Sequence, residues 1–325
     1  MTPAFLITAD GLDVTAKLQS RLISLSLSDE EGIKADRLVI EVDDRDGRVA
    51  LPPHQVELVV SLGYLEQGLT QMGTFLVDET SGSGPPQTMT IGATAADMSG
   101  SIRSPKTRAW EDQTLSDITE TIASEAGLRA QVGESLADTL YPFVAQQAES
   151  DMNLLTRLAV DLDATAKAAD GVLVVMKRGE GRAADGTELT PQPIAKADMT
   201  QWRWELGDRK RYTRAIAEWA ELGAGAINKV ELGEGDPVYR VRHVLDNEAA
   251  AERAARAALD GAGRGTGSIE IDCAQFQPAL FAGGLIELVD LRPELNGIWS
   301  IKSVQHRLQS TLLTSLTAEL QEPRD

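Results

Sequence analysis

The sequence predicts an α+β chain that is mainly β, arranged as a β block, an α+β block and a second β block. Three observations carry this. Apolar and polar residues alternate over the first hundred positions. Two capped amphipathic helices follow, between residues 97 and 200. Alternation then returns and runs to the end of the chain. The expected blocks are residues 1–96, 97–200 and 201–325.

In the first block, Ile23, Leu25 and Leu27 alternate with Ser24, Ser26 and Ser28. Leu38, Ile40 and Val42 alternate around Glu41, and Val56, Leu58, Val60, Leu62 and Tyr64 form a third such run. Successive strand residues point to opposite faces, so these runs mark sheets with one apolar and one polar side. Phe75 with Val77, and Met89 with Ile91, predict two more strands. Asp46-Gly47, Pro52-Pro53 and the stretch from Gly82 to Pro86 supply turns. Short strands punctuated in this way predict a small sandwich or barrel.

The middle block opens on TLSDITETIASEAG. Thr114 and Asp117 have capping-box spacing, Leu115, Ile118 and Ile122 share a face, and Gly127 is the expected stop. A second helix is predicted in ESDMNLLTRLAVDLD, with Ser150 or Asp151 as cap and Leu154, Leu155, Leu158 and Leu162 buried. Asp170-Gly171 turns into a strand, VLVVMK, followed by a polar hairpin, GEGRAADGTEL. Pro191 and Pro193 mark the boundary. The last block begins with a β run around Trp202 and Trp204 and continues through YTRAIAEWAE. An alanine-rich helix at about 246–260, ended by GAGRGTG, interrupts it. SIEIDC, GLIELVDL, IWSIKSVQHRL and TLLTSLTAEL read as the closing strands.

The 325 residues are 42% hydrophobic and 25% charged, enough for two or three compact domains. Aromatic residues are 4%, which argues against a base-stacking or sugar-binding surface. The formal charge of -19 opposes nucleic-acid binding, which rests on Lys and Arg neutralising phosphates. Such acidity either keeps the chain soluble or makes a wall past which DNA slides. The single cysteine, Cys273, excludes an intrachain disulfide and fits a reducing cytoplasm; a buried apolar role is expected. MTPAFLITADG has no signal-peptide character, and no run approaches the ~20 apolar residues of a membrane span. No membrane insertion is expected.

A search for chemistry returns little. His54, His243 and His306 share no metal-ligand spacing. Nucleophile-elbow, P-loop and dinucleotide strings are absent. GAGRGTG follows a helix, whereas a phosphate-cradling loop precedes one. Asp43, Asp44 and Asp46 before Gly47 look like a calcium loop, but Val42 and Pro53 fill its first and last ligand positions, so a polar turn is expected. Asp and Glu are plentiful enough for a glycosidase-like pair, but the three blocks leave no segment of lysozyme size. A lone His306 in a strand reads as structural. No catalytic residue, cofactor or metal is expected.

Three stretches together carry a resemblance. DMSGSIRSPKTRAWEDQTLSDITETIASEAGL (97–128) places a basic segment and an aromatic before a TL-x-x-I helix. QQAESDMNLLTRLA (146–159) has the pattern Q-x-ESD followed by L-x-RLA. QPALFAGGLIELVDLRPELNGIWSIKSVQHRL (277–308) ends in G-x-W-x-I-x-x-V-x-H-x-L. In this order they resemble the late control protein D family of tailed phages, whose hub fold is similar to the N-terminal part of VgrG. The resemblance implies two tube-like β-barrel domains flanking the α+β region. It implies a pseudo-sixfold homotrimer joining a hexameric tail tube to a trimeric central spike in the baseplate of a contractile tail. The implied partners are the tail tube protein, a spike protein and other baseplate proteins, with DNA passing through without specific binding. The implied location is the virion, after assembly in the host bacterial cytoplasm. VgrG proteins continue into an OB-fold and a needle. This sequence stops just after TLTAEL, so a separate spike is expected. The exposed turns and the basic stretch Arg103, Lys106 and Arg108 are interface candidates, with a solvated loop as the plain alternative. A bacteriocin or another contractile injection particle would use nearly the same hub; a hub with cell-wall hydrolase activity is the enzymatic alternative. Transcriptional control, which the family's historical name suggests, has no basic recognition helix to support it.

Overall fold

The computed structural model describes residues 1–32, 36–96, 100–169, 171–183, 187–207, 212–221, 225–264 and 267–321. The first block contributes β1 (Pro3–Ala9), β2 (Leu12–Asp13), the short α1 (Thr15–Gln19), β3 (Leu22–Glu30), β4 (Arg37–Asp43), β5 (Glu57–Tyr64), β6 (Gly68–Ser83) and β7 (Thr88–Ala95). The alternating runs become strands as expected, with one correction. A bulge between Leu22 and Ser24 in the β3–β4 pairing shifts the alternation, so Ile23 turns outward, 39% exposed, and Leu22 packs towards the core. β6 is long enough to serve two partners. Its first half pairs with β5 up to Leu76, and its second half pairs with β7 from Phe75 onward. The strand therefore crosses from one layer to the next. The apolar faces of both layers meet in a core that includes Leu25, Leu38, Ile40, Val60, Leu62 and Val77.

The middle block follows with β8 (Pro105–Thr114), α2 (Leu115–Ala126), β9 (Arg129–Val132), α3 (Glu134–Ala137), β10 (Leu140–Ser150), α4 (Asp151–Val160), β11 (Ala164–Ala169) and β12 (Val172–Lys177). Both predicted helices are present with their caps. Thr114 and Asp117 close the capping box, Gly127 ends α2 at φ +72°, and Ser150 caps α4 through the Asn153 amide. β8 and β10 form a two-stranded ribbon, and β11, β12 and β9 a small sheet. The helices bury Leu115, Ile118, Ile122, Leu154, Leu155 and Leu158 against them.

The last block holds β13 (Gln192–Ala195), β14 (Met199–Leu206), β15 (Arg214–Glu221), β16 (Ala226–Gly233), β17 (Val238–Leu245), α5 (Glu248–Arg264), β18 (Gly267–Cys273), β19 (Leu285–Val289), β20 (Gly297–Leu308) and β21 (Leu312–Leu320). α5 extends through Gly261, so GAGRGTG lies partly inside the helix. It packs on β15, β16 and β17, where Ala251, Ala254 and Ala255 of the helix meet Ala215 and Ala217 of the strand. Small side chains allow that close approach. β14 and β18, on either side of this insert, pair directly with each other, so the insert leaves the main sheet uninterrupted.

The two β blocks are joined edge to edge. β20 pairs antiparallel with β3, and the order β14-β18-β21-β20-β3-β4-β7-β6 runs through both. Among the described residues no pairing closes either block on itself.

Candidate functional site

Two of the sequence motifs meet in one place. Lys106 and Arg108, on β8, face α2 and the start of α4. The Lys106 Nζ lies 2.7 Å from Glu125 and 2.5 Å from Asp151. Arg108 reaches the same two carboxylates at 2.7 and 2.8 Å. Its Nε donates to Gln146 Oε1 at 2.9 Å, and its guanidinium stacks 4.2 Å from the Trp110 ring. The Gln146 amide donates to Asp151 at 2.8 Å and its oxygen accepts from the Trp110 indole at 3.2 Å. Asp151 is 1% exposed and opens α4, where the positive end of the helix favours a carboxylate. Burial pulls the Lys106 pKa down, but Asp151 and Glu125 outweigh it and hold the ammonium above its ordinary range. The Lys106 hydrogen bond in turn holds Glu125 low. The basic-aromatic segment and the Q-x-ESD segment thus form a charged clasp that fixes the ribbon to both helices. Of the three interface candidates, Lys106 and Arg108 have these internal partners; Arg103 is exposed.

The third motif describes β20. Gly297, Trp299, Ile301, Val304, His306 and Leu308 are spaced by two, except for one step of three. That step is a bulge between Ile301 and Ser303 in the pairing with β21, which restores the inward face after the extra residue. Trp299 is fully buried, with its indole donating to the Leu295 carbonyl at 2.9 Å. His306 is buried beside Thr314 at 3.0 Å and edge-on to Phe276, and burial pushes its pKa down to about 4. Burial raises the Cys273 thiol to about 11. The acidic turn at Asp43 to Gly47 is satisfied within the chain: Arg21 holds Asp46 at 2.6 Å, Arg45 pairs with Asp43, and Asp44 accepts from the Val49 amide. Among the described residues no group of three His, Cys, Asp or Glu side chains could hold a metal.

What remains is a surface. The strand registers place Gln201, Asp272, Ser315, Gln305, Ser28, Arg37 and Thr94 in one row from β14 to β7. A second row runs Arg203, Glu270, Thr317, Ser303 and Glu30. These rows belong to the face opposite the core, so it is lined by hydroxyl and amide groups with three acids, Asp272, Glu270 and Glu30, and two arginines, Arg37 and Arg203, among them. Outer strand edges complete the picture. Among the described residues β14 pairs only with β18, and the second half of β6 only with β7. The row behind, Trp202, Ile271, Leu316 and Val304, is apolar until it ends on Asp29. An acid in the inward register of Leu25 and Leu27 is a signal that periodicity alone carries.

Paired charges inside, a polar wall and two open sheet edges are the equipment of a protein that works by assembling. The chain belongs to the phage tail baseplate hub (GPD) family, whose model matches residues 88–312. It is 29% identical to the probable baseplate hub protein of Escherichia phage 186, over 97% of this chain and 92% of that protein. Its identity to the probable baseplate hub protein of Escherichia phage P2 is also 29%, over 98% and 94%. The fold matches the 43 kDa tail protein of prophage MuSo2 from Shewanella oneidensis with a TM-score of 0.71 at 13% identity, over 98% of both chains. It also matches a type VI secretion component of E. coli, c3393, with a TM-score of 0.58 at 12% identity, over 97% of this chain and 77% of that one. The chain is thus a phage-tail hub protein with a VgrG-like fold.

Proposed function

We propose that the chain is a non-enzymatic structural hub that joins a hexameric tail tube to a trimeric spike as a pseudo-sixfold homotrimer. The observation that carries this is the layer of eight strands divided at the β3–β20 pairing. One half is β6, β7, β4 and β3; the other is β20, β21, β18 and β14. Three copies supply six four-stranded halves, which suits a sixfold partner on one side and a threefold partner on the other. An open β14 edge and an open β6 edge are different surfaces, so their contact is heterologous, and such contacts close into rings when the rotation allows. Unpaired strand edges are templates for pairing. In this reading each block becomes tube-like only when the ring closes.

The polar face then lines the channel. The acids of this face outnumber its two arginines, and Arg37 is paired with Glu79, so little free positive charge is left to bind a phosphate backbone and DNA passes without specific contacts. The tail tube protein, the spike and other baseplate proteins are the partners, in the virion, after assembly in the host cytoplasm. The test is the mass of the purified chain by light scattering, alone and with the cognate spike protein. A trimer, or a monomer that becomes a 3:3 complex with the spike, is expected. A monomer that ignores spike and tube proteins contradicts the reading.

A further inference from the structure

The three blocks meet at the end of β3. Lys167, on β11 of the middle block, inserts its ammonium between Asp29 and Asp36 of the first block, pairing with Asp29 and lying 2.7 Å from Asp36. It also donates to the Glu30 carbonyl at 3.3 Å. The second oxygen of Asp29 accepts from the Ala282 amide of the last block at 2.8 Å. Beside this cluster, Glu31 takes Arg178 from the middle block at 3.4 Å and Lys302 from β20 at 2.7 Å.

Around these ties the blocks share little apolar packing. Among the described residues, the middle block's buried cluster is drawn from between Ile102 and Val175, and the clusters of the two β blocks contain none of its members. A cavity of about 740 Å³ lies at the joint, with Leu27 and Phe75, Met176, and Leu280 and Phe281 among its walls. The middle block is a unit with its own core, fastened to the sheet by charge.

We propose that this joint is a latch: Lys167 fastens the middle block to the sheet, and the second carboxylate keeps the fastening below its full strength, so that the block can release without unfolding. At the cluster two carboxylates share one ammonium. Burial and the neighbouring Asp29 raise Asp36 to about 6, while burial pulls Lys167 down and the two carboxylates more than restore it. The sign follows. A carboxyl whose pKa is raised in the folded joint favours the joint when protonated, so the latch is tighter below about pH 6 and looser above it. The other charged groups facing it are Glu31 with its two cations, His306 from β20 and Glu57 at the cavity wall. This device goes beyond the ring assembly and does not depend on it.

Thiol labelling reads the latch directly. Thr165 on β11 is buried at the joint, 3.7 Å from where a side chain at Gly32 would begin. Cys273, buried in the core of the last block, serves as the internal control. In a Thr165→Cys background at pH 7.5, Lys167→Met is expected to raise the labelling rate at position 165 by about tenfold or more, with Cys273 unchanged, as a local opening requires. Asp36→Asn is expected to slow that labelling by at least about threefold at the same pH, since it removes the excess charge. Equal rates with and without Lys167 overturn the proposal, as does Cys273 becoming reactive in step with position 165. If Lys167→Met does not fold, an Asp36→Asn variant that labels as fast as its parent overturns it alone.

Discussion

Asp151 is the residue on which the middle block turns. It is almost wholly buried, and two cations, a glutamine amide and a helix N-terminus converge on it. Removing this buried carboxylate leaves the Gln146 amide without its partner and two cations sharing Glu125 alone, so Asp151→Ala is expected to destabilise the chain by about 2–3 kcal/mol in urea unfolding. Lys106→Met should be milder, because Arg108 still holds both acids. His306 works differently. Its pKa falls from 6.5 to about 4 in the fold, so the unfolded chain takes up the proton first. Stability is therefore lost as pH falls from about 6.5 through 4. A His306→Gln variant should show a flatter thermal-unfolding profile across that window. In the sequence Lys106 and Arg108 read as free charge, because Asp151 lies more than forty residues away and only the fold brings it alongside. Asp29 was legible in principle, as an acid on an apolar register, but its partner Lys167 sits in an alanine-rich run that suggests nothing of the kind.

Elements announced themselves where local chemistry sets them. Thr114, Asp117 and Gly127 bound α2 in the sequence and in the structure alike. Thr114→Ala should remove about 1 kcal/mol of stability through the lost cap. The closing motif is legible down to its irregular step, which is the bulge in β20. Trp299→Ala, which empties the largest fully buried site, is expected to cost about 3–5 kcal/mol. β8, β10 and β11 were not read as strands. β11 is Ala164–Ala169, whose alanines favour helix when isolated; its strand form comes from tertiary context, the pairing with β12 and the packing against α4. β8 and β10 carry long polar side chains on their buried side, so their alternation is hidden by the clasp they build. Ile23 follows the apparent period yet faces outward, since a bulge is invisible to a count of two.

At the scale of the molecule, the order β, α+β, β was read from periodicity. The junction between the outer blocks was not, because β3 and β20 are far apart in sequence and each makes sense alone. Among the described residues that single pairing joins the two blocks into one wall, with β14 and the second half of β6 at its open edges. The ring rests on those two edges, and they can be probed together. Arg203 lies on β14 and Ser81 on the second half of β6. In the Arg203→Cys, Ser81→Cys double variant, assembled with the cognate spike, a short bis-maleimide is the direct probe. The expected result is covalent dimers and trimers on a denaturing gel, absent from either single variant. A trimer by light scattering that yields no more cross-linked product than the single variants would mean that the subunits meet elsewhere, and the edge-closed ring would be wrong.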